Sequence, residues 1–248
     1  MTTTFSDQQF ELCYPEGIDF HWWYIARNRL LASILRRESD SDSVFLEVGC
    51  GRGPVVKGLR DFGLNVHGVE LAAVEPIQGV QAFVDSGVDA CDLPLERRSR
   101  ITGLLLLDVI EHLPEPEPFL EKLAGSFPNL SVIIITVPAC QEIWSNFDDF
   151  YGHYRRYTLD MLDDLSAQLN WTTKRAGYFF RLPYLPLRLM SALGIKRDTQ
   201  MYAPGKAMRP VHRLVSSLCR VEETVLSIQV RGTSAYAVYR PQRVALQT

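Results

Sequence analysis

A short apolar run that ends in alternating glycines, VFLEVGCGRG from Val44 to Gly53, constrains this chain more than any other segment. Val44 to Val48 has the length and side chains of a buried strand. Gly49, Gly51 and Gly53 then form an exit loop in which a ligand can approach backbone that Cβ atoms would otherwise shield. The spacing is GxGxG, which differs from the GxGxxG turn that binds a dinucleotide pyrophosphate. Val66 to Glu70 reads as the next strand and places Glu70 twenty-three residues after Glu47. A carboxylate at that strand end is able to accept hydrogen bonds from both hydroxyls of a ribose. Loop and carboxylate together predict a site for a nucleoside-bearing cofactor.

The rest of the chain supplies the frame for such a site. Phe20 to Glu38 carries apolar residues at helical spacing, and Asp40 to Ser43 is a polar break. A helix is expected from Val55 to Phe62 and another from Ala72 to Asp85, with Pro76 near its beginning or kinking it. A short third strand is expected at Gly87 to Cys91, and a fourth at Gly103 to Val109, apolar enough to be covered on both faces. A helix at Glu117 to Phe127 precedes the β-branched strand Ser131 to Val137. Residues 139–157 are aromatic and charged without a clean period, which suits an active-site or substrate loop. Thr158 to Leu169 returns to helix, with Thr158 as its cap. Late strands at Trp171 to Tyr178 and Thr233 to Tyr239 complete the pattern, separated by a helical insertion over residues 179–230. Strands alternating with helices predict a parallel sheet with helices on both faces, in one domain spanning residues 1–248 with residues 1–38 as an N-terminal helical segment.

Composition narrows the partner. With 26 basic and 29 acidic residues, a formal charge of -3 and no block of one sign, no nucleic-acid surface is expected, and a small molecule is the better partner. The five cysteines, Cys13, Cys50, Cys91, Cys140 and Cys219, are scattered and form no CxxC or Cys/His cluster, so reduced thiols in a cytoplasm and no metal site are expected. The N-terminal sequence MTTTFSDQQFE lacks an export pattern, and no apolar stretch is long enough to span a bilayer, so stable membrane insertion is not expected. Oligomeric state is not legible in the sequence.

Taken in order, EVGCGRG at Glu47 to Gly53, the acidic strand end at Glu70, DACDLP at Asp89 to Pro94 and LLLLDVIEHLPEP at Leu104 to Pro116 resemble the successive motifs of class I S-adenosylmethionine-dependent methyltransferases. The likeness is strongest to a small-molecule group of type 11 or 12, extends from FHWWYIARNRLL to RGTSAYAVYR, and is loosest between residues 180 and 230. It implies a Rossmann-like α/β fold with a mainly parallel seven-stranded sheet and a C-terminal antiparallel strand, and S-adenosyl-L-methionine as cofactor. It also implies that Gly49, Cys50, Gly51 and Gly53 hold the methionine end, Glu70 with Leu71 the ribose, and Asp89 with Ala90 the adenine. Asp108, Val109 and Ile110 are expected on the sulfonium side. Glu47 stands where an aspartate is common and should still permit contacts near the methionine. In the lid segment HWWY, Tyr24 joins the cofactor residues and Trp23 the substrate residues, with Arg27 expected to pair with the cofactor carboxylate.

Two histidines are candidate catalytic bases. His112 follows the fourth strand closely, and its alternative role is to shape the loop or orient the acceptor. His153 belongs to GHYRRY, Gly152 to Tyr157, similar to a GHxRRY pattern in a subset of these enzymes, where Tyr154, Arg155 and Arg156 are candidate substrate contacts. A purely structural reading pairs these arginines with Asp148, Asp149 or Asp160. The expected activity is methyl transfer to an oxygen or nitrogen of a small molecule. A carbon acceptor and a noncatalytic cofactor-binding role are the alternatives.

Overall fold

The computed structural model describes residues 5–40 and 42–242. In chain order, α1 (Asp7–Cys13) and α2 (Trp22–Glu38) precede β1 (Phe45–Val48), α3 (Pro54–Asp61), β2 (Val66–Glu70), β3 (Val84–Ser86), α4 (Leu95–Arg98) and β4 (Gly103–Leu107). Then follow α5 (Pro116–Ser126), β5 (Val132–Pro138), α6 (Asn146–Tyr151), α7 (Leu159–Gln168), β6 (Thr172–Phe179), α8 (Tyr184–Ala192), α9 (Arg209–Val225) and β7 (Ser234–Arg240). The strands form one seven-stranded sheet in the order β3-β2-β1-β4-β5-β7-β6. All neighbours from β3 to β5 are parallel, and β7 alone runs against its two partners. This is the Rossmann-like sheet that the motifs imply, with helices on both faces.

Strand β4 shows why the sheet is covered twice. Successive side chains of a strand point to opposite faces, and Gly103 to Leu107 is apolar throughout. Leu104 and Leu106 pack with Leu120 and Leu123 of α5 and with Leu162 and Leu165 of α7. Leu105 and Leu107 pack instead with Leu31 and Leu35 of α2 and Val56 and Leu59 of α3. Leu104→Ala and Leu105→Ala should therefore each lower stability by about 2–5 kcal/mol, as deletions in close-packed cores do. Urea unfolding checks this; a loss under about 1 kcal/mol for either would mean that one face of the sheet is not packed.

Two expected elements differ from the structure. Residues 72–85 form no long helix: the chain from Ala72 to Gly79 is irregular, a 3-10 turn covers Gln81–Phe83, and β3 begins at Val84. Pro76 and a left-handed Gly79 (φ 94°) break the helical period, and the segment is tied elsewhere, with Ile77 N donating to Arg52 O and Val74 N to Ser86 Oγ. The third strand lies at Val84–Ser86 instead of Gly87–Cys91, because Gly87 turns the chain with φ 75° and Asp89 caps a 3-10 turn at Ala90–Asp92. Residues 139–157 contain α6, started by Ser145, whose N–H is accepted by Asp148 Oδ2 at 2.9 Å, and ended by Gly152 in the left-handed region.

The sheet order reverses at β1 and β4, and the loops leaving those two strands diverge there. In open α/β sheets this divergence opens a crevice beyond the carboxyl ends of the strands. The ends of β1, β2 and β4 supply the floor of a large cavity. Exposed large apolar side chains gather elsewhere, on α8 and α9, where Leu185, Leu189, Leu214, Leu218 and Val221 face outward.

Candidate active site

The cavity encloses about 680 Å³, within the size range of small-molecule sites. Its floor is the exit loop of β1. Gly49 has φ 75°, and its N–H and that of Cys50 both donate to Val69 O, at 2.9 and 3.2 Å, pinning the turn to β2. Gly53 (φ 79°) begins α3, whose first residue is Pro54. Glu70, at the end of β2, is buried, and its Oε2 accepts from Gly51 N while its Oε1 accepts from Ala72 N, both at 2.9 Å. Each oxygen keeps further lone-pair capacity for a hydroxyl. Beyond β3, Asp89 Oδ1 accepts from Cys91 N at 2.9 Å, and Asp89 and Ala90 both line the cavity.

Glu47 lines the same floor with Oε2 unpartnered. Burial pushes its carboxyl up to about 8, against the pull of Arg27. A buried carboxyl with one oxygen left unpartnered is an acceptor held ready for a ligand.

Helices α1 and α2 roof the cavity. Phe10 and Tyr14 stack with ring centroids 6.1 Å apart, and the Tyr14 ring sits against the Cα of Gly51, space that any side chain at that position would fill. Tyr14 is half-buried, and desolvation raises its phenol well above the usual range, so it stays neutral. Arg27 lies 3.9 Å from the Trp23 ring centroid and forms an ion pair with Asp108, with its Nε unpartnered. The guanidinium expected to meet a cofactor carboxylate is thus already engaged by the β4 strand end. Asp108 itself has φ 59°, a left-handed conformation that aspartate tolerates better than most residues and that turns the chain out of the strand.

Of the other sequence-read cofactor residues, Tyr24, Gly49, Cys50, Leu71, Asp108 and Val109 line the cavity. Gly51, Gly53 and Ile110 stand behind this lining. Ile110 is buried in the core beneath it, and Gly51 is covered by Tyr14.

At the far end of the cavity the two histidines meet. His112 and His153 have ring centroids 4.7 Å apart, and Phe5 packs edge-on against His112 at 5.1 Å. Burial, reinforced by His153, lowers His112 to about 3, so its imidazole is neutral over the physiological range. Asp148 Oδ1 lies 3.0 Å from His153 Nδ1 and accepts from Arg156 Nε at 2.8 Å, while its Oδ2 accepts from Arg156 Nη2 at 3.1 Å. Burial opposes ionisation of Asp148, yet the bonds from His153 and Arg156 outweigh it and hold the carboxyl below its usual range.

Trp23 and Arg156 line the cavity; Tyr154 and Arg155 do not. Tyr154 is 59% exposed, and the Arg155 guanidinium donates to Pro114 O. Their adjacency to His153 in sequence suggested a shared role, but Tyr154 turns to solvent and the Pro114 carbonyl holds Arg155, so only His153 and Arg156 of this segment face the cavity. Sequence reading also missed the roof residues Phe10 and Tyr14, which no glycine or charge pattern marks. It passed over Glu111, a buried carboxyl on the cavity wall between Ile110 and His112.

Comparison with known proteins bears on this geometry. A family model described as a methyltransferase domain matches residues 22–175. A search of curated proteins finds no match. Among solved structures, 1,6-didemethyltoxoflavin-N1-methyltransferase of Burkholderia thailandensis aligns with TM-score 0.52 and 17% identity over 90% of this chain and 81% of that one. Phosphoethanolamine N-methyltransferase 2 of Haemonchus contortus aligns with TM-score 0.52 and 16% identity over 92% of this chain and 57% of that one. Magnesium protoporphyrin IX methyltransferase of Synechocystis PCC 6803 gives 0.50 and 11%, over 88% and 83%. At these identities the likeness is one of fold.

Proposed function

The chain belongs to the methyltransferase-domain family and has the class I methyltransferase fold, and on that premise we propose that it transfers a methyl group from S-adenosyl-L-methionine to an oxygen or nitrogen of a small-molecule acceptor. The observation that carries this reading is the buried Glu70 carboxylate on the cavity wall beside a glycine turn whose Gly49 and Cys50 also line it. When bound, the cofactor supplies an electrophilic methyl group on a sulfonium.

The residues divide the work along the cavity. Glu70 accepts from the ribose hydroxyls, Asp89 faces the adenine edge beside Ala90, and Gly49, Cys50 and Glu47 take the methionine end. Tyr14, Trp23 and Tyr24 close the roof and keep water away from the transfer site. Asp108 and Val109 border the reactive end, where the acceptor atom must sit in line behind the methyl group. Holding that alignment supplies much of the catalysis. His112 and His153 are the nitrogen groups available there to orient the acceptor or take its proton. Asp148 fixes the His153 ring.

Phe5, Phe147, Leu187 and Met201 add apolar wall to the cavity beside the polar groups His153, Arg197 and Asp198, and a cavity of about 680 Å³ supports a compact metabolite over a polymer. We place the chain with the GHxRRY subset on its Gly152 to Tyr157 segment. A cytoplasmic setting fits five free cysteines, and no described helix is long and apolar enough to cross a membrane. The test is incubation of the protein with methyl-labelled S-adenosylmethionine and pooled metabolites, with the methyl position located by fragmentation mass spectrometry. Label on oxygen or nitrogen supports the reading; label on carbon, or cofactor binding with no labelled product from any pool, counts against it.

Glu47 gives a second, quantitative check. With its carboxyl raised to about 8 by burial, it is protonated at pH 7 in the empty cavity. A cofactor cation beside it favours the carboxylate, so binding should release up to about one proton between pH 6 and 7.5. Calorimetry in buffers of different ionisation enthalpy reads this directly. Glu47→Gln is expected to abolish the buffer dependence; a buffer-independent wild-type enthalpy would remove Glu47 from the cation's surroundings.

A further inference from the structure

Glu111, His112 and His153 form a second constellation at the reactive end, one for which cofactor binding has no use. One potential donor atom from each lies within 4.8 Å of the others. Glu111 is 0% exposed, yet neither of its carboxyl oxygens has a hydrogen-bond partner. His112 is also buried, and its Nδ1 has no partner. Buried polar groups are normally partnered, so three unpartnered atoms on two adjacent residues, within reach of His153, mark a place built for something that binds them.

Both imidazoles are already oriented for ligation. Asp148 holds His153 through Nδ1 and leaves Nε2 free. The backbone of Tyr151 and Gly152 lies against the His112 ring, and its Nδ1 is left as an open donor. A carboxylate or carbonyl behind each ligating histidine is the usual arrangement around protein-bound metals, where it fixes the tautomer and the ring.

We propose that Glu111, His112 and His153 bind a divalent first-row transition-metal ion at the acceptor end of the cavity. Two imidazoles and one carboxylate suit zinc, iron or cobalt; magnesium and calcium prefer oxygen ligands throughout. Ligands at about 2.1 Å from an ion sit roughly 3.0–3.4 Å apart, so the side chains close inward slightly on binding. Three protein ligands leave coordination positions open toward the cavity, where an acceptor oxygen can be held and polarised. This last role rests on the methyl-transfer reading; the metal site itself does not. The sequence hides the site because the third ligand lies 41 residues beyond the adjacent pair, brought back by the turn of α6.

The test uses the full chain stripped of metal by chelator and titrated with cobalt(II) alone, without cofactor, so that failure here and failure of methyl transfer are separate results. One equivalent should bind and produce visible d–d bands without a thiolate charge-transfer band. Glu111→Gln should weaken cobalt binding by on the order of 10–100-fold, and His153→Ala by at least as much. Thermal melts verify that each variant is folded; Glu111→Gln keeps the side-chain shape and decides the matter if His153→Ala does not fold. Absence of stoichiometric cobalt binding to the wild-type chain, a thiolate band, or unchanged affinity in Glu111→Gln overturns the proposal.

Discussion

Replacing Glu70 by glutamine is expected to weaken S-adenosylmethionine binding by on the order of 100-fold, although the two side chains have nearly the same shape. Both carboxylate oxygens accept from backbone, one from Gly51 N and the other from Ala72 N. An amide has only one acceptor oxygen, so its NH2 must face one of these donors. That repulsion displaces either the glycine turn or the segment after β2, and one ribose hydroxyl also loses its charged acceptor. Hydrogen bonds to a charged group are worth about 1.5–3 kcal/mol each, which sets the scale of the loss. Titration calorimetry measures it. Affinity within about threefold of wild type would mean that Glu70 serves only the loop, since 0.7 kcal/mol is too little for even one such bond.

The second large effect falls on stability. Asp148 is 0% exposed and accepts from Arg156, His153 and Ser145 N together. Asp148→Ala leaves the Arg156 guanidinium, itself 5% exposed, without its counter-charge. Breaking a buried pair from one side costs about 3–5 kcal/mol. The double variant Asp148→Ala/Arg156→Met should recover part of that loss, because the stranded charge is gone. Urea denaturation of both variants decides. If Asp148→Ala costs under about 1 kcal/mol, the pair is solvated in solution and behaves as a surface ion pair.

These two residues also show what a sequence discloses and what it conceals. Glu70 was legible as a candidate from its position, an acidic residue ending the strand after a glycine loop, at the carboxyl end of the sheet where ligands gather, and it lines the cavity. The doubly covered parallel sheet was legible because β4 and β5 are apolar on both faces, which only a sheet covered on both sides requires. Asp148 appeared only as one of three possible arginine partners, because burial and not spacing selects it. The expected helix over residues 72–85 failed on Pro76 and Gly79, local breakers that outweighed its apolar content. Arg27 lines the cavity with its Nε unpartnered, but its Nη1 donates to Asp108, 81 residues later in the sequence, through a strand-end turn that no pattern announces. Tyr14 and Phe10 were hidden for a related reason. A short capped helix folds them over the glycine loop, and its capping box at Ser6 and Gln9 marks where the helix starts without saying what it covers.

The most direct measurement is a crystal structure of the protein with S-adenosylhomocysteine bound. The account predicts both ribose hydroxyls on Glu70, the adenine beside Asp89 and Ala90, the amino-acid end over Gly49 and Glu47, and the sulfur turned toward Asp108 and the two histidines. A cofactor product bound elsewhere, or lying in the same cavity without its ribose on Glu70, would contradict the assignment of this cavity.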